Sequence, residues 1–329
     1  MPYLHHVQTS IVQTIKRTTM QRRNFILNAA LSLGALSLED QRLFAAGPAG
    51  RRRAGQAEDP WKMRPLRRDV GIFTEKGGTI AWLVSKKGIV VVDAEFPEQA
   101  GHLIGELKKQ SDQPFELLIN THHHGDHTAG NIAFKGLVKD VAAHGNSLAN
   151  QQRVAVAQKT EDKQLYPNIT YTDGWNYRIG HEHIRAYYFG PGHTNGDSII
   201  HFQHANVAHM GDLVFNRRWA FIDRSAGASI SNWIVALDKA IHTFDSGTLF
   251  VFGHAFDPEK VTGGKEDLKA MQNYLTQLQA FANQAFHAGR SKEDFVKEKA
   301  IPGVTEWQGD GIERGLQAAY EEVAASQVP

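Results

Sequence analysis

Residues 121–131 read THHHGDHTAGN and place four metal-type donors, His122, His124, Asp126 and His127, within six positions. They follow an apolar run containing Phe115, Leu117, Leu118 and Ile119, so the segment reads as a strand ending in a metal-binding loop. On a strand-like or tightly turned segment, residues i and i+2 point the same way. His122 and His124 can therefore close on one ion while His123 points elsewhere, and Asp126 and His127 follow a turn at Gly125 toward a second ion. Imidazole and carboxylate donors suit zinc, with iron or manganese as alternatives, because geometry and supply decide selectivity more than affinity does. The plainer reading, a polar surface loop with incidental histidines or a single structural metal, accounts less well for the donors downstream.

Three later segments repeat one context, a glycine and a donor at the end of a strand-like run. His193 follows Gly190, Pro191 and Gly192 after the run 184–189, and its glycines allow a tight backbone. Asp212 follows Gly211 after the run 207–210, and His254 follows Gly253 after the run 249–252. His144, His181, His183, His201, His204, His209 and His242 lack that context and read as ordinary surface or core histidines.

Working outward from the loop, 79–85 and 88–92 form a hairpin pattern across Lys86 and Lys87. The run 89–92 is continuously apolar, as in a strand buried on both faces, and ends in Asp93. Pro97 opens a helical pattern through Ala100, Leu103, Ile104 and Leu107 to about residue 110. Beyond the loop come a short helix over 126–134, a strand over 138–143 and a helix over 146–158. A β-rich section follows over 169–209, then a helix over 231–244, a strand over 248–252, and helices over 265–288, 292–299 and 312–325. The order implies an α/β chain with two sheets stacked face to face and helices outside.

The 329 residues carry a formal charge of +1 and no cysteine. So balanced a charge argues against a nucleic-acid partner, and the lack of cysteine excludes disulfides, thiolate metal sites and thiol nucleophiles. The leader is different: residues 1–46 hold five basic residues, Lys16, Arg17, Arg22, Arg23 and Arg42, against Glu39 and Asp40. From Met20, the paired arginines, Phe25 and a mildly apolar run to Leu38 resemble a twin-arginine export signal, with Met20 as the start and cleavage near Ala46. The run is too short to span a bilayer and gives no stable membrane anchor. A basic amphipathic helix packed on the domain is the alternative. The signal reading implies a periplasmic or secreted protein, a linker over 47–69, and a catalytic domain over 70–329.

Taken together, Asp93, the 122–127 cluster, His193, Asp212 and His254 resemble the five ordered motifs of the metallo-β-lactamase-fold hydrolases, across residues 71–254. The resemblance implies an αββα sandwich with metals at one edge between the sheets, here with a helical C-terminal extension. It also implies that His122, His124 and His193 bind one divalent ion, that Asp126, His127 and His254 bind a second, and that Asp212 bridges the two. The nucleophile would be a hydroxide between the ions, with Asp126 in an orienting or proton-transfer role. Asp93 would stand behind the ligands and fix an imidazole tautomer.

Within the family, lack of cysteine excludes the cysteine-containing zinc β-lactamases, and a bridging aspartate at 212 resembles the glyoxalase II type. The expectation is a hydrolase of a small ester, thioester, lactone or amide. The alternatives are a zinc β-lactamase or lactonase, and a periplasmic metal-binding accessory protein without turnover. In the loop after Asp212, Arg217 or Arg218 is a candidate for a substrate carboxylate, with Trp219 and Phe221 as an apolar wall. The oligomeric state is not fixed by the sequence.

Overall fold

A computed structural model describes residues 60–327; the leader and most of the expected linker lie outside the described residues. The first sheet has seven strands in sequence order: β1 (Lys62–Arg67), β2 (Val70–Thr74), β3 (Ile80–Ser85), β4 (Gly88–Val92), β5 (Phe115–Ile119), β6 (Val138–His144) and β7 (Ile169–Tyr171). Strands β1 to β4 run antiparallel, and β4 to β7 are parallel through crossovers that contain α1 (Pro97–Gln110), α2 (Gly125–Thr128) and α3 (Gly145–Gln158). The second sheet contains β8 (Gly174–Ile179), β9 (Glu182–Tyr187), β10 (Ile199–Phe202) and β11 (Val207–His209), and is completed by β13 (Leu249–Val251) and β15 (Thr262–Gly263). Two short strands, β12 (Phe215–Asn216) and β14 (His254–Ala255), pair separately. Helices α4 (Ile230–Thr243), α5 (Lys265–His287), α6 (Lys292–Phe295) and α7 (Ile312–Ser326) complete the chain.

The layers follow from side-chain alternation. In β4 every residue is buried, with Val90 and Val92 in the core between the sheets and Ile89 and Val91 in the core that contains Leu103 and Leu107 of α1. A strand covered on both faces has no polar positions to alternate with, which is why its sequence is an unbroken apolar run. From the second sheet Ile184, Ile200, Phe202 and Val251 fill the same inter-sheet core. The opposite face, with Ala208 and Phe250, packs against Trp233 and Leu237 of α4, Met271 and Leu275 of α5, and Leu316 of α7. The result is the expected αββα sandwich with C-terminal helices.

Three expectations change, the first being that the helix expected over 292–299 is a single turn, Lys292–Phe295. Part of the anticipated linker, Lys62–Arg67, is a strand paired with β2 at the sheet edge, where Pro65 costs no essential ladder bond. The helix expected over 126–134 is one α turn followed by a 3₁₀ segment, Ala129–Phe134.

Register positions the donor loops. Val92 of β4 aligns with Ile119 of β5, so Asp93 and Thr121 leave the sheet side by side. His209 of β11 aligns with Val251 of β13, so the loops bearing Asp212 and His254 also emerge together, and Gly253 donates to the carbonyl of Gly211 at 2.8 Å. The amide of Thr79 donates to the carbonyl of Gly253 at 2.9 Å and joins the two sets of loops.

Candidate metal centre

His122, His124, His193 and Asp212 each offer a ligand atom, all within 4.8 Å of one another, and Asp126, His127 and His254 form a second such group. The seven donors named from the sequence are thus brought to one edge of the sandwich. What they do there depends on which ring nitrogens carry hydrogen.

The tautomers are set from outside. His193 Nδ1 donates to the carbonyl of Phe221 at 2.7 Å, and His124 Nε2 donates to the Asp223 carboxylate at 2.9 Å. The Thr121 hydroxyl donates to Asp93 Oδ2 at 2.8 Å and so accepts from His122 Nδ1 at 3.0 Å. His127 Nδ1 donates to Asp93 Oδ2 at 2.8 Å. Each of these rings, when neutral, turns its lone-pair nitrogen inward. His124 Nδ1 lies 3.1 Å from His122 Nε2 and 2.8 Å from His193 Nε2. Three lone pairs converging at that distance repel unless a cation stands among them. Likewise His127 Nε2 and Asp212 Oδ1 face each other at 3.0 Å, an ion pair while the ring is protonated and two unsatisfied acceptors once a cation displaces that proton. A buried donor set with orphaned acceptors fits divalent cations.

Asp212 connects the groups. Its Oδ2 lies 3.5 Å from His193 Nε2, 3.9 Å from His122 Nε2 and 3.4 Å from His254 Nε2. Gly253 is required beside it, since a Cβ there would stand 2.0 Å from Asp212 Oδ1. Asp126 Oδ2 lies 3.1 Å from His254 Nε2, and its side chain is 33% exposed while that of Asp212 is 3% exposed.

Electrostatics divide the two groups. Burial, reinforced by the neighbouring rings, depresses His122 well below the usual range and His193 to about 3. Burial also opposes the charged form of His254 and His127, but carboxylates outweigh it. Asp212 and Asp126 raise His254 to about 9, and Asp212, Asp126 and Asp93 raise His127 well above its ordinary value. Asp212 itself is held well below the carboxylate range because His254, His127 and His122 outweigh its burial.

Asp93 is fully buried, with both oxygens engaged by Thr121 and His127, and its φ is +64°. Such backbone in a non-glycine residue is held by its surroundings and clusters at functional sites. Glu95, with φ +46°, accepts from the amides of Glu75, Lys76 and Gly77 at 3.1, 2.8 and 2.7 Å. Gly78 then lies against the metal loop, donating to the carbonyl of Asp126 at 3.0 Å.

The substrate residues expected after Asp212 divide. Phe221 stands at the centre, 5.4 Å from the His124 ring and 5.9 Å from that of His193. Arg217 is instead committed to the C-terminal segment, pairing with Glu306 at 2.7 Å and stacking on Trp307, while Trp219 packs on Tyr274 of α5. Arg218 is exposed, its backbone bridged to Gln308. Sequence reading missed Asp223, which carries no glycine-flanked strand-end signature and meets His124 across 99 positions. His209, read from sequence as an ordinary surface or core histidine, is buried in the core, donating to Thr79 and accepting from Gly211.

The family described as the metallo-beta-lactamase superfamily matches residues 74–254. Metallo-beta-lactamase IND-1 from Chryseobacterium indologenes is 28% identical over 190 residues, covering 56% of this chain and 75% of that protein. A probable hydroxyacylglutathione hydrolase of Schizosaccharomyces pombe is 26% identical over 178 residues, 53% of this chain and 61% of that one. Among solved structures, a double mutant of the sec-alkyl sulfatase PisA1 superposes with a TM-score of 0.64 at 11% identity; 79% of this chain matches 49% of that longer one. The matched span begins in β2 and closes on His254, the last of the seven donors. The chain belongs to the metallo-beta-lactamase superfamily.

Proposed function

We propose that the chain is a dinuclear metal-dependent hydrolase of a small ester, thioester, lactone or amide, with zinc as the first candidate metal. The observation that carries this reading is Asp212, whose carboxylate reaches His193 at 3.5 Å in one donor group and His127 at 3.0 Å in the other. Two cations held there would supply Lewis acidity, drawing the pKa of a shared water toward neutrality and polarising the oxygen under attack. The protein's own part is to keep four imidazoles in one tautomer through Asp93, Thr121, Asp223 and the Phe221 carbonyl. Asp126, a third exposed, is held well below the carboxylate range because His127 and His254 outweigh its burial, so it stays ionised at the centre and can orient a nucleophilic water.

The ligand set without cysteine and with an aspartate at 212 supports a glyoxalase II-like arrangement. The likeness to IND-1 favours a second reading, hydrolysis of a β-lactam, which is itself a cyclic amide. A metal-binding accessory protein has no need of a carboxylate shared between two open donor groups. The paired Arg22 and Arg23 support export, and with it a periplasmic or secreted site of action.

Elemental analysis of protein purified without chelator, run beside a screen of esters, thioesters, lactones and β-lactams, tests the reading. Two metal equivalents with turnover on one class support it. One equivalent or none, with no turnover after adding zinc, iron or manganese, sinks it. Asp212→Asn should abolish most turnover, whereas an accessory protein would keep its partner.

A further inference from the structure

Five large apolar side chains are exposed among the described residues, and two belong to the neighbourhood of the metal donors. Phe221, 41% exposed, packs beside His124 and His193; Phe256, 47% exposed, lies two positions after His254 and against Gly309. An apolar surface held open at a hydrolytic centre marks where a substrate lies. Over Phe221 stands one cation, the guanidinium of Arg314, 5.8 Å from the ring centre.

Arg314 differs from nearby arginines. Arg217, Arg224 and Arg290 are matched by Glu306, Glu322 and Glu298 at 2.7, 3.0 and 2.6 Å. Arg314 is exposed, and its one recorded partner among the described residues is the face of Phe221. Its position is built: Gly311, at φ +105°, leaves room for the side chain to fold back, since a Cβ there would stand 2.7 Å from a guanidinium nitrogen. The loop before it is tied down by Gln308, which donates to the Arg217 carbonyl at 3.0 Å and accepts from the Trp219 amide at 3.3 Å. Arg314 and the loop before it lie beyond residue 254, where the family match ends.

We propose that Arg314 is a specificity residue that binds a carboxylate on the far end of the substrate, with the substrate's apolar chain lying on Phe221. The planar guanidinium presents a fork of donors suited to a carboxylate, and the ring beneath it fixes its plane. The Arg314-to-Phe221 and Phe221-to-His124 spacings together put the anion several bonds from the reacting carbonyl. The proposal rests on the hydrolase reading and gives it a substrate class, an acyl compound with a terminal carboxylate.

The test compares mono-4-nitrophenyl glutarate with 4-nitrophenyl valerate, in which a methyl replaces the carboxylate, on zinc-supplemented full-length protein. In Arg314→Gln the ratio of kcat/KM for the anionic over the neutral ester should fall roughly tenfold, mainly through KM, as for one lost charge-assisted hydrogen bond. Arg314→Lys should recover part of it. An unchanged ratio overturns the proposal, whether both esters slow together or neither does. Calorimetric titration with glutarate provides a reading without turnover, and Arg314→Gln should bind it roughly tenfold more weakly. If wild-type protein hydrolyses neither ester, the hydrolase reading loses support while the glutarate comparison still decides the role of Arg314; equal affinities there overturn it.

Discussion

Asp93 and His127 meet at 2.8 Å, carboxylate to Nδ1, with neither side chain exposed to solvent. The same Asp93 oxygen accepts the Thr121 hydroxyl that fixes His122, so one carboxylate sets a ring in each donor group. Asp93→Ala should lower affinity for both metals by roughly 10- to 100-fold. Competition against a chromogenic chelator measures it, and a loss confined to one equivalent would show that the Thr121 relay to His122 is unimportant.

Proton release should distinguish the two metals. His122 and His193 are depressed and already neutral near neutrality, so a cation among the three histidines displaces no proton from them. His127 and His254 are raised, and a cation in their group must displace those protons. Affinity for that metal should climb with pH, by about tenfold per unit for each proton released, until His254 titrates near 9. Calorimetry in buffers of different ionisation enthalpy counts the protons, and equal release by both metals would contradict the assignment.

The same raised values govern the metal-free fold. A histidine whose folded pKa exceeds its unfolded value stabilises fully below the unfolded value, and that contribution disappears as pH rises through the folded one. The His254 contribution should therefore be complete in mild acid and lost between about 6.5 and 9. Thermal unfolding with chelator should show a falling Tm over that window, and His254→Gln should flatten the fall.

Asp223 orients His124 and also caps the turn after it, accepting from Ser225 and from the Ala226 amide. Asp223→Asn keeps a single acceptor oxygen where the carboxylate offers Oδ2 to His124 and Oδ1 to the turn, so it can serve only one of them, whereas Asp223→Ala serves neither. The alanine variant should weaken metal binding at the three-histidine group roughly 10- to 100-fold, with a smaller effect from asparagine. An alanine variant that binds metal as tightly as wild type would deny Asp223 its orienting role.

Gly78 has no space for a side chain, since a Cβ would stand 2.1 Å from the His127 ring. Gly78→Ala should displace that ring, cost about 1–3 kcal/mol of stability, and reduce binding of the metal that His127 holds. Denaturant unfolding with metal titration checks both effects, and a variant with wild-type values in each would remove the Glu95-braced turn from any supporting role.

The donors were legible because each carries a local signature. The 122–127 cluster needs only i, i+2 spacing, and His193, Asp212 and His254 sit by glycines at strand ends. Asp93 ends a strand whose unbroken apolar run marks it as central. The supporting residues lack such marks. Asp223 follows a loop whose path depends on the C-terminal segment, and Arg314 meets Phe221 only after α7 packs. Arg217 and Trp219 looked like site residues from proximity to Asp212, yet Glu306 and Tyr274, distant in sequence, claim them. Pro65 concealed β1, because an edge strand tolerates what a central one does not.

The centre also bears on the order of assembly. Thr121 and Asp93 lock His122 and His127 from nearby, but His124 waits for a carboxylate 99 positions later. Closing such loops is slow, and contacts so distant along the chain form late. A cation offered to a half-folded chain finds histidines free to rotate and to exchange protons. Metal capture should therefore report a finished sandwich rather than nucleate one.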